Sequence, residues 1–239
     1  MRTTTLALAS AALLTFCASA ASAATVFAEY QLTPAANNDL KWTKVGSGKT
    51  ATGSLSGDAS GLVDFSFLSS TGLNHFFNLK SLISFSGSSD GPAVQTGSTI
   101  DQPIDDGTFD ITYDGNKTSI GGHAISNGEV LLSGTFADAD LTGSGLSWAL
   151  DSVAGVTYSS PFVSFTDPAA NSFALEIIPN KTPDFKKGDV LGSFNATSTG
   201  SFEGTLAVPE PASWSMLIFG FGLVGGALRM RARDARQAS

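Results

Sequence analysis

The chain has 239 residues, with 13 Lys+Arg against 21 Asp+Glu, a net charge of −8 and an isoelectric point near 4.6. That length is enough for one sizeable hydrophobic core, and the acidic balance excludes a duplex nucleic-acid binder, which needs a basic face. Gly 26 and Pro 9 make roughly 15 % of the chain, below the ~25–30 % of low-complexity sequences, so a packed body is expected.

The N-terminus opens Met1-Arg2, runs apolar from Leu6 to Phe16, and ends in small residues at Ala21-Ser22-Ala23. A positive start, a short apolar run and an A-x-A site are the parts of a secretory signal peptide, here residues 1–23. Ala21 and Ala23 mark the cleavage site, with Ala20 the second choice, and the run is too short to span a bilayer, which takes about 20 residues. Cys17, the only cysteine, lies inside this segment, so the exported chain carries no disulfide and no thiol. Phe16 before it is not the small residue that a lipidated cysteine requires.

Residues 24–207 form the expected exported domain. They carry eight Lys, no Arg and 19 Asp+Glu, a net of −11. Alternation of apolar and polar residues predicts strands over Thr25–Leu32, Val63–Phe67, Leu79–Ser86, Phe109–Tyr113, Glu129–Phe136, Leu146–Leu150, Val156–Phe165 and Phe173–Ile177. Leu191–Leu206 reads as two strands or one bent one, interrupted by Gly192, Gly200 and Gly204. Turn signals separate them at Ser89-Asp90-Gly91-Pro92, Asp106-Gly107, Asp114-Gly115-Asn116, Asn127-Gly128 and Lys187-Gly188-Asp189. The pattern predicts an all-β antiparallel β-sandwich or jelly roll, with 14 Phe in the domain to fill its core. No repeat recurs at a fixed period.

Chemistry-bearing residues are sparse. His75 and His123 have no second His or Cys at ligand spacing, and no G-x-S-x-G elbow marks a nucleophile, so zinc and Ser-His-Asp chemistry are not expected. Glu29, Glu129, Glu176 and Glu203 could supply the two carboxylates of a glycoside hydrolase only if the fold pairs them across a cleft. Asp101, Asp105, Asp106 and Asp110, and Asp138 with Asp140, form acidic clusters, but neither has the D-x-[DN]-x-[DN]-G spacing of a calcium loop. No cofactor is expected; calcium is the one ion weighed. Trp42, Trp148, Tyr113 and Tyr158 would suit sugar stacking if exposed, and core packing if not. Asn116-Lys117-Thr118, Asn180-Lys181-Thr182 and Asn195-Ala196-Thr197 fit the N-glycosylation pattern, although they read as turn or strand residues.

Residues 208–239 read as a sorting segment. Ala212–Leu228 is uncharged, with Met216, Leu217, Ile218, Phe219, Leu223, Val224 and Leu228 as its apolar residues, and predicts a single transmembrane helix of about 25 Å. Arg229, Arg231, Arg233 and Arg236 follow as a positive-inside tail. Val208-Pro209-Glu210-Pro211-Ala212-Ser213-Trp214, then the apolar span, then the arginines, resembles the PEP-CTERM sorting signal of Gram-negative bacteria in its Pro-Glu-Pro-x-x-Trp-Ala subtype. Ser215 stands where that subtype prefers Ala.

The resemblance implies export by the secretion machinery, an inner-membrane intermediate, and processing near the motif by an exosortase-type protease. Pro209, Glu210, Pro211 and Trp214 would be its recognition residues. It further implies delivery to the cell surface or extracellular matrix, with exopolysaccharide as a partner there; the acidic balance, not the resemblance, argues against nucleic acid. The expected function is therefore a non-enzymatic surface or biofilm-matrix structural protein. The alternative is a carbohydrate-binding module, and behind it a glycoside hydrolase.

Overall fold

Alternation becomes strand wherever one face can be buried, and β13 (Ser172–Pro179) does this without a break, every second side chain being buried. The computed structural model describes residues 23–33, 38–57, 61–73, 76–152 and 155–207. The other strands are β1 (Thr25–Leu32), β2 (Leu40–Val45), β3 (Thr52–Gly57), β4 (Leu62–Phe67), β5 (Phe76–Ser89), β6 (Val94–Thr96) and β7 (Thr99–Tyr113). They continue as β8 (Thr118–Ile120), β9 (His123–Ile125), β10 (Val130–Ser144), β11 (Ser147–Ser152), β12 (Thr157–Ser159) and β14 (Phe194–Gly204). The only helical elements among the described residues are three short 3-10 turns.

The expectation of an antiparallel all-β body is met. What the sequence pattern did not give is closure. β1 pairs with β4 on one edge and β14 on the other, and the ladder β4–β5–β7–β10–β11–β13–β14 returns to β1 through antiparallel pairs throughout. Eight strands thus form a ring with no free edge of their own, which removes the template for edge-to-edge aggregation.

Two long strands change partners along their length. β14 pairs through Gly200–Gly204 with β1, and through Phe194–Ala196 with β2. β5 likewise pairs through Phe76–Leu82 with β4, and through Ser86–Ser89 with β3. The pair β1–β4 closes the ring at one end, and β2–β3 at the other.

One apolar core fills the interior. Phe109 stacks on Phe85 and Phe202 at centroid distances of 5.4 and 5.0 Å and meets Phe173 and Tyr158 edge-on. Each such buried ring stabilises by roughly 1.5–3 kcal/mol through area alone, so a core without cystine cross-links is adequate. Strand glycines make room for these rings. Gly134 is the direct partner of Phe109 on β7, and a Cβ there would lie 2.3 Å from the ring.

The same device corrects one expectation. Asp106-Gly107 is not a turn but lies inside β7, where Gly107 faces Phe136 and a Cβ would lie 2.2 Å from that ring. The strand expected over Val156–Phe165 is shorter: only Thr157–Ser159 pairs with β10, and Phe165 makes an isolated bridge to Leu206. Leu191–Leu206 is one strand from Phe194, its bend being the exchange of β2 for β1.

Candidate functional site

Both ends of the body leave it together. Thr25 pairs with Gly204, and the chain is then held through Thr205–Ala207. The Thr166 and Ala207 N–H groups donate to Thr205 and Ser164 carbonyls at 2.9 Å each, and Thr205 N–H donates to Asn171 Oδ1 at 3.3 Å. Ala23 is exposed just ahead of β1. The sorting residues Pro209, Glu210, Pro211 and Trp214, the apolar span 212–228, the arginine tail and Ala21 lie outside the described residues, as does His75.

A groove of about 810 Å³ lies on the outer face of β1, β14, β13, β11 and β10. It brings together Glu29, Asp151 and Glu176 with Gln31, Thr142, Thr199 and Ser201. Asp151 lies directly opposite Asp140, and burial followed by that neighbouring charge pushes its carboxyl above the ordinary range. Glu129 and Glu203 are elsewhere: Glu129 accepts from Ser126 N–H and pairs with His123 Nε2 at 3.2 Å, and Glu203 accepts from Ser172 Oγ at 3.4 Å.

The acidic clusters disperse into local bonds. Asp105 accepts from Asp90 N–H at 2.7 Å and Asp106 from Ser88 Oγ at 2.5 Å. Asp101 Oδ1 is buried without a partner, and burial raises its carboxyl, with Asp140 adding to the effect. Among the described residues no group of three or more His, Cys, Asp or Glu is placed to hold a metal ion.

The four aromatics that could have stacked on sugar are buried, with their polar atoms satisfied. Trp42 Nε1 donates to Leu191 O at 2.9 Å, Trp148 Nε1 to Gly145 O at 3.0 Å, and Tyr113 Oη to Asn116 O at 2.7 Å. Tyr158 Oη donates to Ser172 O. An aromatic platform built from them is therefore excluded.

Sequence reasoning missed a second, smaller cleft, of about 370 Å³, lined by Lys41, Trp42, Asn180, Lys181, Ser193, Phe194 and Asn195. Lys41 and Asn195 are direct strand partners, and Asn180 N–H donates to Asn195 O at 2.8 Å. The two ends of the segment 180–193 border this cleft through Asn180, Lys181 and Ser193, and the segment forms no strand or helix but is pinned at several points. Leu191 N–H donates to the buried Gln102 Oε1 at 3.0 Å, and Ala93 N–H to Asp189 O at 2.9 Å. Lys44 bridges to Asp189 at 2.5 Å, a hydrogen bond that holds the Asp189 carboxyl below its ordinary value, and Lys44 N–H donates to Ser193 Oγ at 2.9 Å. The sequence signals touching this place were the Asn180 and Asn195 sequons, 15 residues apart, and Trp42.

Immediately before β2, Asp39 is fully buried. Ser198 donates to its carboxylate through N–H at 2.8 Å and Oγ at 2.5 Å, and Ser198 Oγ also bonds Tyr30 Oη at 2.7 Å. Burial raises the Asp39 carboxyl above its ordinary value, the Ser198 bonds opposing.

The family model of the PEP-CTERM protein-sorting motif matches residues 207–232. The chain thus carries a PEP-CTERM sorting signal, the mark of an exported protein that passes through a membrane-anchored intermediate and is processed by an exosortase. No curated protein and no solved structure matches the chain.

Proposed function

We propose that this chain is a non-enzymatic structural protein of the cell surface or extracellular matrix, its β body delivered by the C-terminal signal and then released. The observation that carries the reading is a junction. The body is hydrogen-bonded through Ala207, and the matched signal begins at that same residue. From Ala207 to Pro211 an extended chain spans about 14 Å, so a membrane-embedded protease would cut close beneath a folded, self-contained body. The closed ring suits that fate: it leaves the membrane without a long edge to pair wrongly.

The second reading is carbohydrate binding, and the outer groove with Glu29, Asp151 and Glu176 amid Thr and Ser hydroxyls favours it over an aromatic platform. A glycoside hydrolase would use the same carboxylates, and it would lose turnover on Glu176→Gln.

Intact-mass analysis of membrane and secreted fractions from the native host tests the reading. Wild type is expected as a secreted species ending near Val208–Pro211, and Trp214→Ala or Pro209→Ala is expected to keep the full tail in the membrane. A tail retained in every fraction of the wild type would sink it.

A further inference from the structure

Six of the eight lysines of this acidic chain lie on two neighbouring segments, Lys41 and Lys44 on β2 with Lys49 just after it, and Lys181, Lys186 and Lys187 on 180–193; Lys41 and Lys181 line the cleft itself, and Lys44 ties the two segments through Asp189. The acids among them are few. Asp189 is taken by Lys44, Asp39 is buried with a raised carboxyl, and Asp184 is exposed. Lys41, Lys181, Lys186 and Lys187 are exposed, with no acidic partner among the described residues. A positive region on a body of net −11 is a local reversal of field, which attracts anions and loses strength with salt.

The surroundings make this more than scattered charge. Loops of 12–15 residues without secondary structure are uncommon in compact domains and are mostly either disordered or functional. This one is anchored by Val190 and Leu191, buried at 1 % and 0 % exposure, and by the Gln102, Trp42 and Lys44 bonds. Its lysines are therefore presented on a fixed support. Between them sits the cleft of about 370 Å³, of a size that takes a small ligand, with Ser193 and the side-chain amides of Asn180 and Asn195 beside two ammonium groups. Those amides have no partner among the described residues, and they can donate to and accept from hydroxyls.

We propose that this cleft, with the lysines around it, binds a carboxylate-bearing polysaccharide. Ammonium groups pair with the sugar carboxylates, and the amides with ring hydroxyls. Residues 24–207 contain no arginine, so an anion here is held by lysine point charges, which pair with a carboxylate or a phosphate alike, and the choice between them falls to the surroundings. Among the described residues the exposed large apolar side chains are Val45, Val94, Val130, Leu146 and Ile178, none of them an aromatic on which bases could stack. A lipid surface is disfavoured by position. The cleft lies at the Phe194 end of β14, roughly 33 Å along the strand from Gly204, where the chain turns toward its membrane signal.

The proposal rests on the reading of the chain as a matrix protein and names its partner. The test uses the full chain extracted from host membranes in mild detergent, with immobilised polygalacturonate as probe. Neutral dextran, duplex DNA and phosphatidylglycerol vesicles serve as comparisons. Expected is binding to polygalacturonate that weakens between about 50 and 200 mM salt. Lys41→Gln with Lys181→Gln should weaken it about tenfold or more, a cost of about 1.4 kcal/mol. Lys41→Arg with Lys181→Arg should retain it, and Lys117→Gln should leave it unchanged.

Absence of binding in the wild type, equal binding by the Lys41→Gln/Lys181→Gln variant, tighter binding to DNA, or vesicle binding that this variant loses would each overturn the site. The mass analysis separates the two ideas. A secreted, trimmed protein that ignores polygalacturonate overturns this inference alone. A binder that never leaves the membrane overturns the matrix reading alone.

Discussion

The two ends of β14 are closed by different chemistry. Near Gly204 the ring is sealed by apolar packing: Phe27 meets Tyr158 and Phe165 at 5.2 and 4.9 Å, and Phe202 lies against Phe109, Tyr30 and Tyr158. Near Phe194 the seal is polar, made by Gln102, Asp39, the Trp42 indole N–H and the Lys44–Asp189 pair. The first kind of closure is indifferent to pH and salt, because it rests on area removed from water. The second holds a 14-residue irregular segment whose backbone could not otherwise be satisfied, and it answers to protonation and to single polar deletions.

Substitutions at the two ends should therefore separate cleanly. The largest loss is expected for Phe202→Ala, about 3–5 kcal/mol of global stability by denaturant titration, equal at low and high salt. A loss below about 1 kcal/mol would show that the apolar end does not carry the ring.

Gln102→Ala should cost about 2–3 kcal/mol, since its amide donates to Ser89 Oγ and to the Gly91 and Pro103 carbonyls while accepting from Leu191 N–H. Hydrogen exchange should quicken at Leu191 far more than at Phe202. Uniform quickening would erase the distinction between the two ends.

Asp39 gives the comparison a pH axis. Its folded-state pKa is raised, so its stabilising contribution is full below the unfolded value of about 3.9 and declines as pH rises through the folded value. Asp39→Asn mimics the protonated form, with Oδ1 accepting from Ser198 N–H and Nδ2 donating to Ser198 Oγ. Thermal midpoints measured between about pH 4 and pH 8 should fall with pH more steeply for wild type than for Asp39→Asn. Identical slopes would remove Asp39 from the account.

The smallest effect is expected for Lys44→Met. The global midpoint should barely move, while exchange at Val190 and Leu191 rises and the salt sensitivity of that region disappears.

Legibility in the sequence followed the same divide. β1 was read to the residue and β13 nearly so, because an apolar face alternating with Ser, Glu and Ala leaves little else for the chain to do. β2 escaped notice: Lys41 and Lys44 flank a single obvious core residue, Trp42, and the burial comes from partners far along the chain. The first ten residues of β7 were hidden by Asp106-Gly107, a turn signal by composition whose glycine instead admits the Phe136 ring.

The sorting signal was legible because its order along the chain is its content. The lysine cleft was not, because Lys41 and Lys181 are 140 residues apart and only β14, paired with β2 on one edge and β13 on the other, brings them to one opening.

The pairing of Thr25 with Gly204 sets an order of events during export. The first strand to emerge from the translocation channel can find β4 early, yet its other edge stays vacant until nearly the entire domain has crossed. The last seam of the ring therefore closes only once nearly the whole domain is on the far side, so the body has no finished form until its final strand is delivered.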